Sequence, residues 1–537
     1  MKTRYTDKDK KNDELADEVR REFERRQVER AQFELQWRLN LNFFKGDQYC
    51  EANAIGKIEE SENDFYWQER NVYNHLAPVI ETRLAKLGRV RPVMGVMPAS
   101  GDSDDIYTAK AAADVLGAAQ DRLGMDAHIA TAAMWSETCG TSFYKITWDQ
   151  NAGRLLGGEG KNAVYEGEAC ITVCPPFEIY PDSCAAANLS ECRSLIHARS
   201  LPVETVREKW GADVAGDENG RAPVIEYYEL PCDKHADGRL VITAGGALVF
   251  EGCLPYTNGR DGKRGFPFVQ QKACEVPGCF FGVSVLERSI PIQRAYNAVK
   301  NRKHEFLNRI AVGVLAVEDG SVDTDGLEEE GLCPGKVVVY RAGSNPPVMM
   351  DTGRLPPEFT YEEDRLMQEI IAISGVSEIM RNSALPNSNI SGIALQLLIE
   401  QDDTRLSVAA QLIKSAIKGV AQHILRLYKQ FASTPRLSRI TGKDGAVELL
   451  AWTKSDLTSD DVYFVTESEL SETPAQKRNM VFELLKAGLF HDENGRLSNA
   501  ARARVLDTLG FGDLYKQISR AADENGAAKE EEKESDG

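Results

Sequence analysis

Apolar side chains recur at helical spacing along a stretch that begins near the middle of the chain. Ser284 and Glu287 have the spacing of a capping box, in which the serine accepts from the N–H three residues on and the glutamate accepts from the serine N–H. Pro291 follows at a position tolerated in a first turn, and apolar residues then recur as far as Ile310. The pattern predicts a helix of roughly 30 Å at ~1.5 Å per residue.

A second helix of similar length is predicted some forty residues later. Thr360 and Glu363 repeat the capping pattern, and apolar residues carry the helix to Gly375. The segment between the two helices is too long for a turn and must form a body of its own. Its pattern predicts strands at 312–317 and 335–340 with a short helix at 325–332. The two helices therefore resemble a stalk that carries a small strand-helix-strand unit.

An Asn-, Ser- and Pro-rich stretch at 377–389 predicts a mobile loop, and Ser391 then caps a helix that need not stop before Pro435. Apolar residues along this helix alternate spacings of four and three, as in a heptad stripe. The stripe consists of Leu406, Ala410, Ile413, Ile417, Val420, Ile424, Leu427 and Phe431. Because so long a helix extends beyond an ordinary globular core, we expect neighbouring subunits to cover it.

The first 280 residues alternate between helical and strand patterns, which is typical of an α+β body. Helices are predicted at 13–44, 70–87, 105–123 and 201–210, with a further one through Trp135, and strands at 89–98, 144–148, 169–173, 178–180, 224–230 and 239–250. After the long helix, strands are predicted at 446–452 and 461–466, followed by helices from about 473 to 522 and an acidic tail.

Charge and hydropathy exclude two broad classes of protein. The longest apolar run has eight residues, far short of the ~20 needed to span a bilayer, and the N-terminus lacks the apolar core of a signal peptide. We therefore expect the protein to stay in the compartment where it is made. A formal net charge of −19 argues against tight binding of DNA or RNA by the chain as a whole, although DNA could still pass without sticking.

Candidate metal ligands do not have the spacing of a known site, and we expect no cofactor. Eleven irregularly spaced cysteines fit reduced thiols better than a disulfide framework, and none shows the C-x2-C spacing of structural zinc sites. Asp319, Asp323, Asp325 and Glu328 resemble a calcium loop but lack its full pattern. The cysteines are expected to be small core residues, and the Asp-Gly pairs ordinary turns.

No motif of an enzyme is present in the sequence. A Walker A loop, a dinucleotide-binding glycine pattern, H-E-x-x-H and G-x-S-x-G are all missing. Two specific functions stay open as alternatives, one enzymatic and one structural. One is a metal-dependent nuclease or hydrolase that uses the carboxylates of 102–105 or 319–328. The other is an elongated coiled-coil scaffold built on the stripe of the long helix.

The first of the paired helices is unusually basic for so acidic a chain. Lys300, Arg302, Lys303 and Arg309 lie along it, and two of these fall where the apolar stripe should continue. Such residues could simply contact acidic neighbours. Alternatively, a few basic side chains in a mostly negative tube would hold DNA weakly enough to let it slide.

Several stretches, taken in order, resemble bacteriophage portal proteins of the P22-like short-tailed type. The resemblance spans roughly residues 13–489. It is carried by Asn71-Val-Tyr-Asn-His-Leu-Ala-Pro-Val-Ile80, Cys139-Gly-Thr-Ser-Phe-Tyr-Lys-Ile-Thr-Trp148, Pro175-Pro-Phe-Glu-Ile-Tyr-Pro-Asp182, Gly282-Val-Ser-Val-Leu-Glu287, Gln293-Arg-Ala-Tyr-Asn-Ala-Val-Lys-Asn-Arg302 and the stretch 468–479.

The resemblance implies an α+β, multi-domain portal fold that assembles as a ring at one capsid vertex, dodecameric in virions. Its expected parts are an N-terminal wing at 1–280, a first stem helix at 281–310, a small α/β clip at 311–357, a second stem helix at 358–374, a tunnel loop at 375–390, a long wing helix at 391–433, wing strands at 434–470, a helical C-terminal crown at 471–521 and a disordered acidic tail at 522–537. Only some forty residues follow Leu489, so a long C-terminal barrel is not expected.

The resemblance also implies partners and sites. Double-stranded DNA would pass non-specifically through the channel, driven by a separate terminase, and no membrane would be involved. Terminase large subunit, head-completion or tail adaptor proteins, capsid and scaffolding proteins would bind the ring, in the host cytoplasm during assembly and in the virion afterwards. Candidate channel residues are Lys300, Arg302, Lys303, Arg309, Arg381, Asn382, Asn387 and Asn389; candidate clip docking residues are Asp323, Asp325, Glu328, Glu329, Glu330, Lys336 and Arg341.

Overall fold

Helices and antiparallel sheets both contribute to the structure, a computed structural model. It describes residues 7–464 except 54–55, 62–67, 89, 91, 93, 159–162, 260–261, 313, 326–336, 351–354, 377–391, 434, 442–446, 455–456 and 458, together with residues 482, 483 and 486. The helices are α1 (Asp7–Lys45), α2 (Leu76–Leu87), α3 (Ser103–Arg122), α4 (Met125–Cys139), α5 (Val203–Trp210), α6 (Val285–Val312), α7 (Glu358–Ser374) and α8 (Gly392–Phe431). The expected α+β class agrees with this mixture.

The strands pair without exception in the antiparallel sense over the described part of the chain. They are β1 (Cys50–Ala52), β2 (Ile58–Glu60), β3 (Met94–Val96), β4 (Thr141–Asp149), β5 (Leu155–Gly157), β6 (Val164–Tyr165), β7 (Glu168–Cys174), β8 (Ile179–Pro181), β9 (Ser194–Pro202), β10 (Arg221–Glu229), β11 (Arg239–Ala244), β12 (Ala247–Gly252), β13 (Phe268–Lys272), β14 (Val314–Ala316), β15 (Val348–Met350), β16 (Arg436–Thr441), β17 (Val447–Trp452) and β18 (Val462–Phe464).

Two sheets form the centre of the N-terminal body. A five-stranded sheet has the order β12-β11-β10-β9-β8, and a three-stranded sheet has the order β13-β4-β7. Along β10, Ala222, Val224, Glu226 and Tyr228 are buried at every second position, as expected for a strand with one face on a core. Glu226 differs from the other three residues, because it places a carboxylate on the face of the strand that packs against the core.

The long helix α8 packs into the chain's own core. Ile413, Ile417 and Ile424 are buried in one cluster with residues of α3, α4, β4 and β13, and Leu406 is buried within the same chain as well. The expectation that neighbouring subunits cover this stripe is therefore wrong from Leu406 onward, because the body of the same chain supplies the apolar partners. Among the described residues, no helix is both long and apolar enough to cross a lipid bilayer.

Several predicted boundaries differ from the structure. The helix predicted from Arg70 begins at Leu76, and the helix predicted from Leu201 begins at Val203 because β9 runs on to Pro202. Residues 337–340 form no strand; β14 pairs instead with β15. Pro291 lies inside α6, in its second turn, and not in the first. Strand β9, the hairpin of β5 and β6, and β16 were not predicted.

A close contact between two glycines positions the start of α6. Gly140, between α4 and β4, has φ +85°, and a Cβ atom there would lie 2.2 Å from the carbonyl oxygen of Gly282. Only glycine combines this backbone conformation with so close an approach. Ser284 then donates from its hydroxyl to the carbonyl of Glu137 at 2.5 Å. The first residues of α6 are thereby fixed against the end of α4.

Candidate functional site

The first paired helix begins with the predicted capping box. The N–H of Ser284 donates to the carboxylate of Glu287 at 3.3 Å, and the Ser284 hydroxyl accepts from the N–H of Leu286 at 3.1 Å. The serine therefore caps the N–H two residues on, and not the one three residues on. Burial raises the pKa of Glu287.

A ladder of buried amide side chains joins α6 to the segment before α2. Gln293, Asn297 and Asn301 follow one another at spacings of four, so they lie on one face of the helix, and each is at most 3% exposed. Gln293 donates to the carbonyl of Tyr73 at 2.7 Å and accepts from the N–H of His75 at 3.2 Å. These bonds satisfy backbone groups that have no partner strand.

The other two residues of this amide ladder, Asn297 and Asn301, also hydrogen-bond to the backbone before α2. Asn297 accepts from the N–H of Tyr73 at 3.1 Å and donates to the side chain of Gln48 at 2.7 Å. Asn301 donates to the carbonyl of Asn71 at 3.0 Å. The amide ladder thus joins two of the stretches that carry the family resemblance. Sequence reasoning missed it, although the signal was present as amide residues at every fourth position of the predicted helix.

Glu363 links the two paired helices by charge. Its carboxylate accepts from Lys303 at 2.8 Å and also contacts Lys300, and both lysines are at most a quarter exposed. Burial alone would raise the pKa of Glu363, but hydrogen bonds from the two lysines outweigh it and lower the pKa. Burial and the adjacent Glu363 raise the pKa of Tyr296 to about 12. The second predicted capping box is therefore wrong: α7 begins at Glu358, and Glu363 binds α6 instead.

The remaining channel candidates differ in how much the structure describes. Arg302 is exposed on α6, on the side away from the amide ladder. Arg309 lies in the last turns of α6, and its side chain is outside the described residues. The four candidates of the loop, Arg381, Asn382, Asn387 and Asn389, lie outside them as well. Of the candidate basic residues, Lys300 and Lys303 are the ones that bind Glu363.

The segment between the paired helices presents exposed charge and exposed apolar side chains. Asp323, Asp325 and Arg341 are exposed, whereas Glu328, Glu329, Glu330 and Lys336 lie outside the described residues. On β15, Val348, Met349 and Met350 are each more than half exposed. β14 and β15 form a sheet of only two short strands, which leaves these apolar side chains uncovered, as is typical of a contact surface.

A separate buried cluster of polar side chains lies between the two large sheets. His197 is completely buried; its Nε2 lies 3.2 Å from Glu178 Oε2 and 3.7 Å from Cys174 Sγ. Its Nδ1 lies 3.2 Å from Glu226 Oε2, a carboxylate that also contacts Lys145. Burial and Lys145 lower the pKa of His197, but Glu226, Cys174 and Glu178 outweigh them and raise it to about 10.

This cluster is the single group of three histidine, cysteine or acidic residues that could hold a metal ion within the described part of the chain. Sequence reasoning did not connect Cys174 with His197, because they meet only when the sheets pack. The carboxylates of 102–105 form no such group: Asp105 accepts from the Ser100 hydroxyl at the start of α3. Nothing in the described residues supports the nuclease alternative.

Comparison with known proteins identifies one family. The family model described as phage P22-like portal protein matches residues 17–479. The match includes the amide ladder, both paired helices, the segment between them and α8. No curated protein matches the chain.

Proposed function

This chain belongs to the phage P22-like portal protein family, and we propose that twelve copies form its ring. The function is that of a phage portal: the protein forms the channel in the capsid through which the viral DNA is packaged and ejected. The family is structural and not enzymatic, and its members lie in the virion capsid, where they contact terminase and tail proteins. The family match over residues 17–479 is the observation that carries this conclusion.

The geometry of α6 and α7 supports the stem assignment. Glu363 of α7 binds Lys300 and Lys303 of α6, so the two helices form one strut. The amide ladder fixes that strut to the body, and the α7 end is held by Arg83, which donates to the carbonyl of Ser374 at 2.9 Å and to Glu137 at 2.6 Å. A strut anchored at its body end can carry a small distal unit, as a portal stem carries its clip.

For the channel wall we propose Arg302, with Lys300, Lys303, Arg309 and the loop residues Arg381, Asn382, Asn387 and Asn389 as further contributors. Glu363 partly neutralises Lys300 and Lys303, so that Arg302 is left as the exposed cation of this part of α6. A channel wall with few available cations suits DNA that must slide through it. Each contact between a cation and a phosphate increases the affinity for DNA and so slows its passage.

Cryo-electron microscopy of the purified full chain tests both the subunit number of the ring and the position of Arg302 on the channel wall. We expect rings with a central hole, twelve-fold symmetry, and Arg302 on the wall of the hole. Rings of another symmetry would overturn the subunit number alone. Rings with Arg302 at a subunit interface would overturn the channel assignment alone, and an elongated dimer or trimer would favour the scaffold.

We further propose that the clip docks terminase large subunit, and afterwards tail proteins, through Asp323, Asp325, Glu328, Glu329, Glu330, Lys336 and Arg341. Asp323 and Asp325 are exposed in the same segment as the exposed apolar strand β15, so the segment offers both acidic and apolar side chains to a partner. The double variant Asp323→Lys/Asp325→Lys should reduce terminase binding to rings in a pull-down. Asp104→Lys, an exposed acid on α3, is the matched control and should leave binding unchanged; equal binding by both variants would contradict the docking surface.

A further inference from the structure

We propose that Cys174, Glu178 and His197 bind a zinc ion that joins the two large sheets of the N-terminal body. Cys174 ends β7 in the three-stranded sheet, Glu178 ends the 3₁₀ turn Pro176–Glu178, and His197 lies in β9 of the five-stranded sheet. Their Sγ, Oε and Nε2 atoms all lie within 4.8 Å of one another. The site would therefore add a second link between two sheets that the Lys145–Glu226 ion pair already joins.

The distances between the ligand atoms fit a tetrahedral ion. With the usual Zn–S, Zn–N and Zn–O bond lengths, tetrahedral geometry places S and N about 3.5 Å apart, and N and O about 3.3 Å apart. The structure has 3.7 Å from Cys174 Sγ to His197 Nε2, and 3.2 Å from that nitrogen to Glu178 Oε2. These two pairs need to move by only a few tenths of an ångström, and the third pair, Cys174 Sγ and the Glu178 carboxylate, lies within 4.8 Å.

The other ring nitrogen of His197 has the partner that zinc-bound histidines usually have. Its Nδ1 lies 3.2 Å from Glu226 Oε2, and the same oxygen accepts from Tyr228 at 2.6 Å and contacts Lys145. Without metal the raised pKa keeps a proton on both ring nitrogens, and a bound ion would displace the proton of Nε2. Nδ1–H then donates to Glu226, with Lys145 Nζ also 3.2 Å from Nδ1, and the Nε2 lone pair faces Cys174 and Glu178. A carboxylate that orients the histidine in this way fixes the tautomer and increases its basicity as a ligand.

The charges of the buried groups balance when a divalent ion is present. Lys145 and Glu226 cancel, and the thiolate of Cys174 with the carboxylate of Glu178 cancels a doubly charged cation while His197 stays neutral. One thiolate, one imidazole and one carboxylate are ligands that zinc accepts, whereas magnesium and calcium prefer oxygen alone. Glu178 is 30% exposed, so an ion and a fourth ligand, water, can reach the site from that side.

Metal analysis of the full chain tests this site. Protein produced with added zinc and dialysed against a weak chelator should retain about one zinc per chain. Cobalt substituted for zinc should show the visible bands of a tetrahedral ion and a thiolate-to-cobalt charge-transfer band. Cys174→Ser should abolish the charge-transfer band, and Glu178→Gln should lose most of the zinc while the chain stays folded.

Cys170→Ser is the matched control, because this thiol lies on the same strand but is exposed. It should leave both zinc content and the cobalt spectrum unchanged. Folded protein without zinc and without cobalt bands would overturn the proposal and leave a buried ion network only. Retention of zinc and of the charge-transfer band in Cys174→Ser would equally overturn it, by showing that other thiols bind the metal.

Discussion

At the scale of single residues, the carboxylate of Glu363 changes the role expected for two basic residues of α6. In the sequence, Lys300 and Lys303 are unpaired cations in an acidic chain. In the structure they bind Glu363, and all three side chains are at most a quarter exposed, so the attraction is less screened than at the surface. The sequence allowed these basic residues either to contact an acidic neighbour or to contact DNA. For Lys300 and Lys303, the structure shows the contact with an acidic neighbour.

The substitution Glu363→Gln should weaken the pairing of α6 and α7, because it leaves both lysines without a carboxylate. We expect a loss of about 1 kcal/mol, between the values for exposed and buried pairs. Glu362→Gln removes a more exposed carboxylate that binds Arg365 on the same helix, and should cost less than about 0.5 kcal/mol. Thermal unfolding of the two variants measures the difference; equal midpoints would contradict the role of Glu363.

A second residue-scale prediction concerns His423 and acid. Burial and Arg426 lower the pKa of His423 to about 4, so the unfolded chain binds a proton more readily than the folded chain between pH 6.5 and 4. Stability should therefore fall as the pH falls through this window, by up to about 1.4 kcal/mol per pH unit from this residue. His423→Gln should show a shallower loss of melting temperature over the same window, and an unchanged slope would be evidence against the assignment.

At the scale of elements, the amide ladder is the main attachment of α6 to residues 71–75. Asn297→Ala removes the partner of the Tyr73 N–H and of Gln48, which should cost about 1–3 kcal/mol of local stability. Hydrogen exchange of a peptide covering 71–75 should then be about ten- to a hundredfold faster.

Asn308→Ala provides the control on the same helix. Asn308 is exposed and donates to Glu69 at 2.6 Å, so its loss should leave exchange of the 71–75 peptide close to that of the wild type. A similar acceleration in both variants would indicate that α6 loosens as a whole and would remove the special role of the amide ladder.

Local patterns predicted elements well and long-range polar contacts poorly. The cap at Ser284 could be predicted because both of its partners lie within four residues. The cap at Thr360 failed because Glu363 binds lysines sixty residues earlier. The ligands Cys174 and His197 lie on strands of different sheets, so no spacing in the sequence brings them together. The heptad stripe of α8 predicted burial but could not identify which chain covers it.

At the scale of the whole molecule, net charge opposes assembly. Twelve copies of a chain with formal charge −19 carry −228, and their repulsion must be offset by buried interfaces and by counterions. We expect rings at moderate and high ionic strength and monomers at low ionic strength. Mass photometry across a salt series measures this distribution, and rings that persist unchanged down to the lowest salt would contradict it.

The spacing of the amide ladder also has a mechanical consequence. Three amide side chains, each about one turn apart, hydrogen-bond to the backbone of residues 71–75 and hold α6 against that segment. The helix cannot rotate or slide by one residue unless all three rungs break together, since a turn of about 100° per residue moves every amide off its partner. A force along α6, or a twist about its axis, would therefore be passed through these hydrogen bonds to residues 71–75 and not taken up by rotation of the helix.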